Sequence, residues 1–233
     1  MNRNLNMRQL QLFSGFSAIG EGIIYILAFL YFGAIWEFPH GGDSTQIMSF
    51  LREHQFSISA INFLMYIVFG CLLAILVIGI NQRLLDKCPA LMQVATLFGA
   101  VWVGLVVASG MISNIGLASI LNIASENPEK ALEVWGVINI IVESLGGGNE
   151  LIGGLWVLLL SVAAVRAKEF SLPLNCLGLV VGSVGILTVY PAEILTEIFG
   201  ISQIIWFFWL GVVLIRNTHA NKALNSDAES VPG

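Results

Sequence analysis

Charge is scarce in this chain: Asp, Glu, Lys and Arg make up 11% of its 233 residues, while 57% are hydrophobic. Soluble domains carry about 25% charged and about 45–50% apolar residues. The deficit excludes a disordered chain, a nucleic-acid binder and an ordinary soluble enzyme. Cysteine is sparse too. Cys71, Cys88 and Cys176 lack CxxC spacing and fall mostly in apolar stretches, which argues against a disulfide frame or a zinc site. The histidines, His40, His54 and His219, all lie outside the apolar runs, so none can pair to hold haem among helices. No lysine sits in an apolar run to form a retinal Schiff base. HExxH, GxSxG and GxGxxG leading into a soluble fold are missing, and no cofactor is expected.

What is present is length of apolar run. Mean hydropathy is +0.85. A membrane crossing takes about 20 apolar residues. Six stretches qualify, at roughly 10–36, 57–80, 91–113, 146–165, 172–190 and 195–215. The first follows a polar head bearing Arg3 and Arg8, is too long for a signal-peptide core, and is expected to stay as a span. The expected fold is all-α: one polytopic bundle of six transmembrane helices over residues 1–216, with a polar cytoplasmic tail over 217–233.

Basic residues orient the bundle. Of the ten Lys and Arg, only Arg52 and Lys130 fall on one side; Arg3, Arg8, Arg83, Lys87, Arg166, Lys168, Arg216 and Lys222 fall on the other. That second side is the cytoplasmic one, with both termini inside. Acids run the opposite way, with Glu37, Asp43, Glu53, Glu126, Glu129, Glu133, Glu193 and Glu197 outside. In the outer segment 37–56, Asp43-Ser44 can cap a short helix to about Glu53, with Ile47, Met48 and Leu51 on one side. Segment 125–145 opens on Ser125-Glu126-Asn127-Pro128, a helix start, and Gly146-Gly147-Gly148-Asn149 is expected to break that helix from the span below. Each glycine there costs about 1 kcal/mol relative to alanine.

Three carboxylates lie within or near the spans: Glu21, Glu143 and Glu150. An acid at such depth is neutral, paired or facing water, and is a candidate functional group. No span holds a Lys, Arg or His to neutralise one. Ser14, Ser17, Ala18, Tyr25 and Ala28 share the helix face of Glu21; Gly146, Gly147, Gly153, Gly154 and Ser161 share that of Glu150. Stripes of small residues are where membrane helices approach, so both acids should face the bundle interior. Their heights above Arg8 and Arg166 are about 20 and 24 Å, close enough for them to meet. Glu21, Glu150 and the adjacent Asn149 are therefore the candidate ligand- or proton-binding residues. The competing interpretation is a hydrogen-bonded knot that only fixes packing. Glu143 is expected at the solvated interface. Gly178, Gly182 and Gly185 form a close-approach face, and Trp36 and Trp135 read as interfacial anchors. His40, Asp43, Glu53 and His54 match no ligand spacing and read as solvated loop charge, so no metal site is expected.

Each half of the six-span layout begins with a carboxylate among glycines, Gly20-Glu21-Gly22 and Gly148-Asn149-Glu150, as an inverted repeat would. The stretch Gly146-Gly147-Gly148-Asn149-Glu150-Leu151-Ile152-Gly153-Gly154-Leu155-Trp156, with Leu172-Pro173-Leu174-Asn175 and Ile205-Trp206-Phe207-Phe208-Trp209, resembles a family of uncharacterised six-span bacterial integral membrane proteins. The resemblance covers mainly residues 130–216. It implies a six-helix bundle of a bacterial inner membrane and brings no substrate or catalytic residue.

The expected role is binding or moving a small solute, proton or cation through the intramembrane carboxylates, with the lipid bilayer as partner. The alternatives are a non-transporting accessory or assembly protein, and a membrane enzyme acting on a lipid-like substrate. The enzyme ranks last, because no nucleophile–base pair is visible.

Overall fold

The computed structural model describes the backbone of residues 2–190 and 192–229, and their side chains except at 2–6, 146–148, 193 and 219–229. The side chains of Arg3, Glu193, His219 and Lys222, and the end of the polar tail, lie outside the described residues.

All regular structure among the described residues is helical. Helix α1 (Asn2–Leu30) runs on into a π-helical turn, Tyr31–Ile35. A short α2 (Ser44–Glu53) precedes α3 (Gln55–Asn62), which passes through a π-helical stretch, Phe63–Val68, into α4 (Phe69–Leu84). Then come α5 (Pro89–Ala124), α6 (Pro128–Arg166), α7 (Leu172–Leu187) and α8 (Glu193–Glu229). Helices suit an apolar solvent because they satisfy their own backbone hydrogen bonds. Five stretches are long and apolar enough to cross a membrane: Met7–Ile35, Gln55–Leu84, Pro89–Ala124, Pro128–Arg166 and Ile194–Thr218. Helix α7, at 16 residues, is shorter.

The glycine contacts show how the columns are arranged. Gly15 lies against Gly211 and Ile215, Gly22 against Phe208, and Gly200 against Phe29, so α1 and α8 are antiparallel. Gly79 meets Ser14 while Gly20 meets Leu72, which makes α1 and α4 antiparallel as well. The same reversal links α4 to α5 (Gly110 on Tyr66, Gly99 on Val77), α5 to α6 (Gly116 on Ile138, Gly153 on Trp102) and α6 to α7 (Gly182 on Leu158, Gly178 on Ser161). Gly185 on Phe199 and Gly178 on Trp206 connect α7 to α8 and close the ring. Six helical columns thus alternate around one interior, with the start of α1 beside the later part of α8.

At the α6–α7 contact backbone meets backbone. A methyl group at Gly154 would come within 2.8 Å of the Gly185 backbone, so only glycine permits this approach. The expected close-approach face of Gly178, Gly182 and Gly185 is where the sequence placed it.

The α2 cap also follows the sequence. Asp43 Oδ1 accepts from the Gln46 amide at 2.8 Å, and Gln46 Oε1 accepts from the Asp43 amide at 3.2 Å, a capping box. Ile47, Met48 and Leu51 are buried against Leu117, Ile120, Leu121 and Ala131, a small second core at the ends of α5 and α6. Arg52 Nη2 reaches the Leu121 carbonyl at 2.5 Å, in the last turn of α5.

Two expectations are corrected. Helix α6 does not break at Gly146–Gly148; it is one helix of 39 residues, so the fourth column starts at Pro128 and not at 146. The helical penalty of the glycines is smaller than that of freeing backbone groups where water is scarce. The polar tail from 217, expected to be loose, is instead helical as far as Glu229, a direct continuation of α8.

Candidate functional site

The stripe on α1 is turned inward as expected: Ser14, Ser17, Ala18 and Glu21 are all buried, and Glu21 is fully so. Large apolar residues of the same helix, among them Phe13, Phe16, Ile23 and Leu30, are exposed on the outer surface. Neither Glu21 carboxyl oxygen has a hydrogen-bond partner among the described residues. Glu21 and Glu150 therefore do not share a hydrogen bond, although both point away from the outer surface of the bundle.

One turn above Glu21, Tyr25 donates to Gln203 Oε1 on α8 at 3.1 Å. Gln203 is fully buried, and its side-chain NH2 has no partner among the described residues. Tyr25 is also the side chain within electrostatic range of both Glu21 and Glu150. It stands at the edge of a cavity of about 210 Å³. Tyr25 and Ala28 of α1, Tyr66 and Phe69 of the second column, Trp102 of α5, and Asn149 and Glu150 of α6 border it. Ile24, Met65 and Val106 complete the lining.

Local backbone geometry helps to build this wall. In the π-helical stretch the Phe69 amide bonds to the Leu64 carbonyl, five residues back, so an extra residue is fitted into the turn and both Met65 and Tyr66 reach the cavity. Such π turns recur at functional sites. The Asn149 side-chain carbonyl oxygen has no partner among the described residues, and Glu150 is met by Thr196 Oγ1 at 3.5 Å, the long limit of a hydrogen bond, with the Thr188 hydroxyl also within reach.

On the side of the termini the cavity ends on aromatic rings. Tyr25, Phe69, Trp102, Trp156, Trp206 and Phe207 form a closed circuit, each centroid 5.4–6.2 Å from the next. Rings at this spacing pack edge-on or tilted and fill the centre of the bundle. Below them Leu73, Leu76, Ile80, Leu160, Leu210 and Leu214 are buried and continue a solid apolar core.

Sequence reasoning selected Asn149 and Glu150, which line the cavity, and Glu21, which lies beneath it. It missed Tyr66, Trp102 and Gln203. Gln203 carried a signal, an uncharged amide inside an apolar run; the two aromatics carried none, because nothing separates a lining ring from a core ring before the helices are packed. Glu143 is exposed, as expected. Asn62 and Asn114 pair loosely at 3.4 Å between the second and third columns.

A second polar cluster lies at the end of the bundle that carries the start of α1. Glu169, in the α6–α7 turn, is held by Arg83 at 2.6 Å and by Lys87. Burial pushes the Glu169 carboxyl up, but the hydrogen bonds and charges of Lys87 and Arg83 outweigh it and hold it below its usual range. The turn bends sharply enough to put Lys168 at φ 51° and Phe170 at φ 62°, the latter beneath the Arg83 guanidinium at 5.1 Å. Gln11 of α1 donates to the Gly79 carbonyl of α4 at 2.7 Å and accepts from Arg83 Nη1 of the cluster at 3.5 Å.

No protein-family model, curated protein or solved structure matches this chain.

Proposed function

We propose that this chain is a six-crossing protein of a bacterial inner membrane, with both termini in the cytoplasm. We further propose that it binds or moves a small solute or ion in the cavity bordered by Asn149 and Glu150. The sorting of basic residues supports the orientation. The antiparallel ring, in which α7 takes its turn like every other column, supports the sixth crossing. In this orientation the cavity lies at mid-depth and towards the outside, above the aromatic circuit. The resemblance of residues 130–216 to uncharacterised six-span proteins fits the same layout.

One observation carries the reading: a cavity of about 210 Å³ between the helices has the half-buried, weakly satisfied carboxylate of Glu150 in its wall. Apolar cavities that serve only packing have no use for a carboxylate, whose burial is costly without a partner. The aromatic circuit supports binding from the outer side; movement through the protein requires that these rings part. Glu21, fully buried without a partner, is the group whose protonation such a movement could use, or an acid that acts only in packing.

Cysteines placed at Ala28 and Val106 test the cavity. In intact cells both should react with a small, membrane-impermeant thiol reagent, and Leu76→Cys should not. Equal inertness of all three sinks the reading. In liposomes, unchanged proton and solute flux in the Glu21→Gln, Glu150→Gln double variant leaves binding without transport.

A further inference from the structure

We infer that the ligand of this cavity is a compact organic cation, an alkyl-substituted ammonium. The inference rests on the cavity reading above and adds the chemistry of the occupant. The formally charged side chain of the wall is Glu150, and no Lys, Arg or His lines the space. An anion would meet a carboxylate with no counter-charge. The carbonyl oxygen of Asn149, without a partner among the described residues, is a second acceptor in the wall.

The rest of the wall decides between a metal ion and an organic cation. Four aromatic side chains line the space, Tyr25, Tyr66, Phe69 and Trp102, from three columns of the ring. Aromatic rings attract a weakly hydrated ammonium group, and aromatic-lined pockets are the recurring solution for binding quaternary amines. A calcium ion takes about six to eight oxygen ligands. One carboxylate and one amide oxygen fall well short, and no group of three or more His, Cys, Asp or Glu gathers among the described residues. Size agrees: a cavity of about 150 Å³ accepts benzene, and this one, at about 210 Å³, has room for a slightly larger ligand. A neutral apolar solute would leave the Glu150 charge with threonine hydroxyls, Thr196 and Thr188, and no counter-charge. A cation supplies the missing partner.

The test uses the purified full chain in nanodiscs, with choline and its uncharged carbon isostere 3,3-dimethylbutan-1-ol as probes, read by calorimetry and by tryptophan fluorescence through Trp102. Choline is expected to bind saturably, and the isostere about tenfold or more weakly. Glu150→Gln should weaken choline by about tenfold and leave the isostere unchanged, and Tyr66→Leu should weaken choline with no change in melting temperature. If choline and the isostere bind equally well, the cation assignment falls and the cavity stands. If neither binds while Ala28→Cys is labelled, the assignment falls alone. If neither binds and Ala28→Cys is inert, the cavity reading falls with it.

Discussion

Arg83 donates twice to a single oxygen of Glu169, from Nε at 2.8 Å and from Nη2 at 2.6 Å, while Lys87 takes the other oxygen. Three segments of the chain meet there: the end of α4, the turn before α5 and the turn before α7. The cluster ties the second, third, fourth and fifth columns together at this end of the bundle.

A pH dependence follows. Because the folded Glu169 carboxyl is held below its ordinary value of 4.5, its contribution to stability is fully present above that pH. It is lost as pH falls through the lower, folded value. The melting temperature of the detergent-solubilised protein should therefore hold from neutrality to about pH 5 and drop below. Glu169→Gln should cost about 1–3 kcal/mol at pH 7 and less at pH 3, where wild type has lost the same contacts. Parallel wild-type and variant curves over the whole range would refute this.

The α6–α7 seam gives a steric test. A methyl group at Gly154 meets Gly185 backbone at 2.8 Å, whereas one at Gly104 meets nothing within 4 Å. Gly154→Ala should destabilise by about 1–3 kcal/mol through forced separation of the helices. Gly104→Ala should be neutral or mildly stabilising, because alanine is the better helix former. A chemical-denaturation series on both variants decides it, and equal effects would count against the seam.

Much of this packing could be read from the sequence, for reasons that are local. The small stripe through Ser14, Ser17 and Glu21 needs only helical periodicity, and the α2 start needs only Asp43 and Gln46 at capping spacing. The glycine run misled because propensity ranks residues against water. Inside an apolar bundle, an interrupted helix must find new partners for its freed backbone groups. The cavity was beyond local reasoning, since Tyr25, Tyr66, Trp102 and Glu150 become neighbours only when the ring closes. The Glu169 cluster was hidden for a related reason: it depends on a turn with positive φ at Lys168 and Phe170, and no glycine marks it.

Glu21 offers a test of sign. Its carboxyl is fully buried and unpartnered, so its desolvation is uncompensated in this packing. Glu21→Leu, of similar bulk, should raise stability by about 1–3 kcal/mol, and Glu21→Gln should change it little. Destabilisation by both substitutions would instead assign Glu21 to packing, through a partner that forms in the membrane.

The crossing of α7 is the step on which the topology turns. Its 16 residues rise about 24 Å, less than the roughly 30 Å of a hydrocarbon core. The turn that follows, Thr188–Tyr190, adds apolar length, with Val189 and Tyr190 exposed. Helix α7 packs antiparallel to both α6 and α8, with Gly178 meeting Ser161 and Trp206 while Gly185 meets Gly154 and Phe199, the arrangement of a crossing helix. Ser171 and Tyr190 should therefore lie on opposite faces of the membrane. Single cysteines at Ser44 and Tyr190, in a background lacking Cys71, Cys88 and Cys176, should be labelled by an impermeant reagent in intact cells. Cysteines at Asp86 and Ser171 should be labelled only after lysis. Labelling of Ser171→Cys and Tyr190→Cys from the same side would leave α7 embedded without crossing, and would put the two ends of the chain on opposite faces.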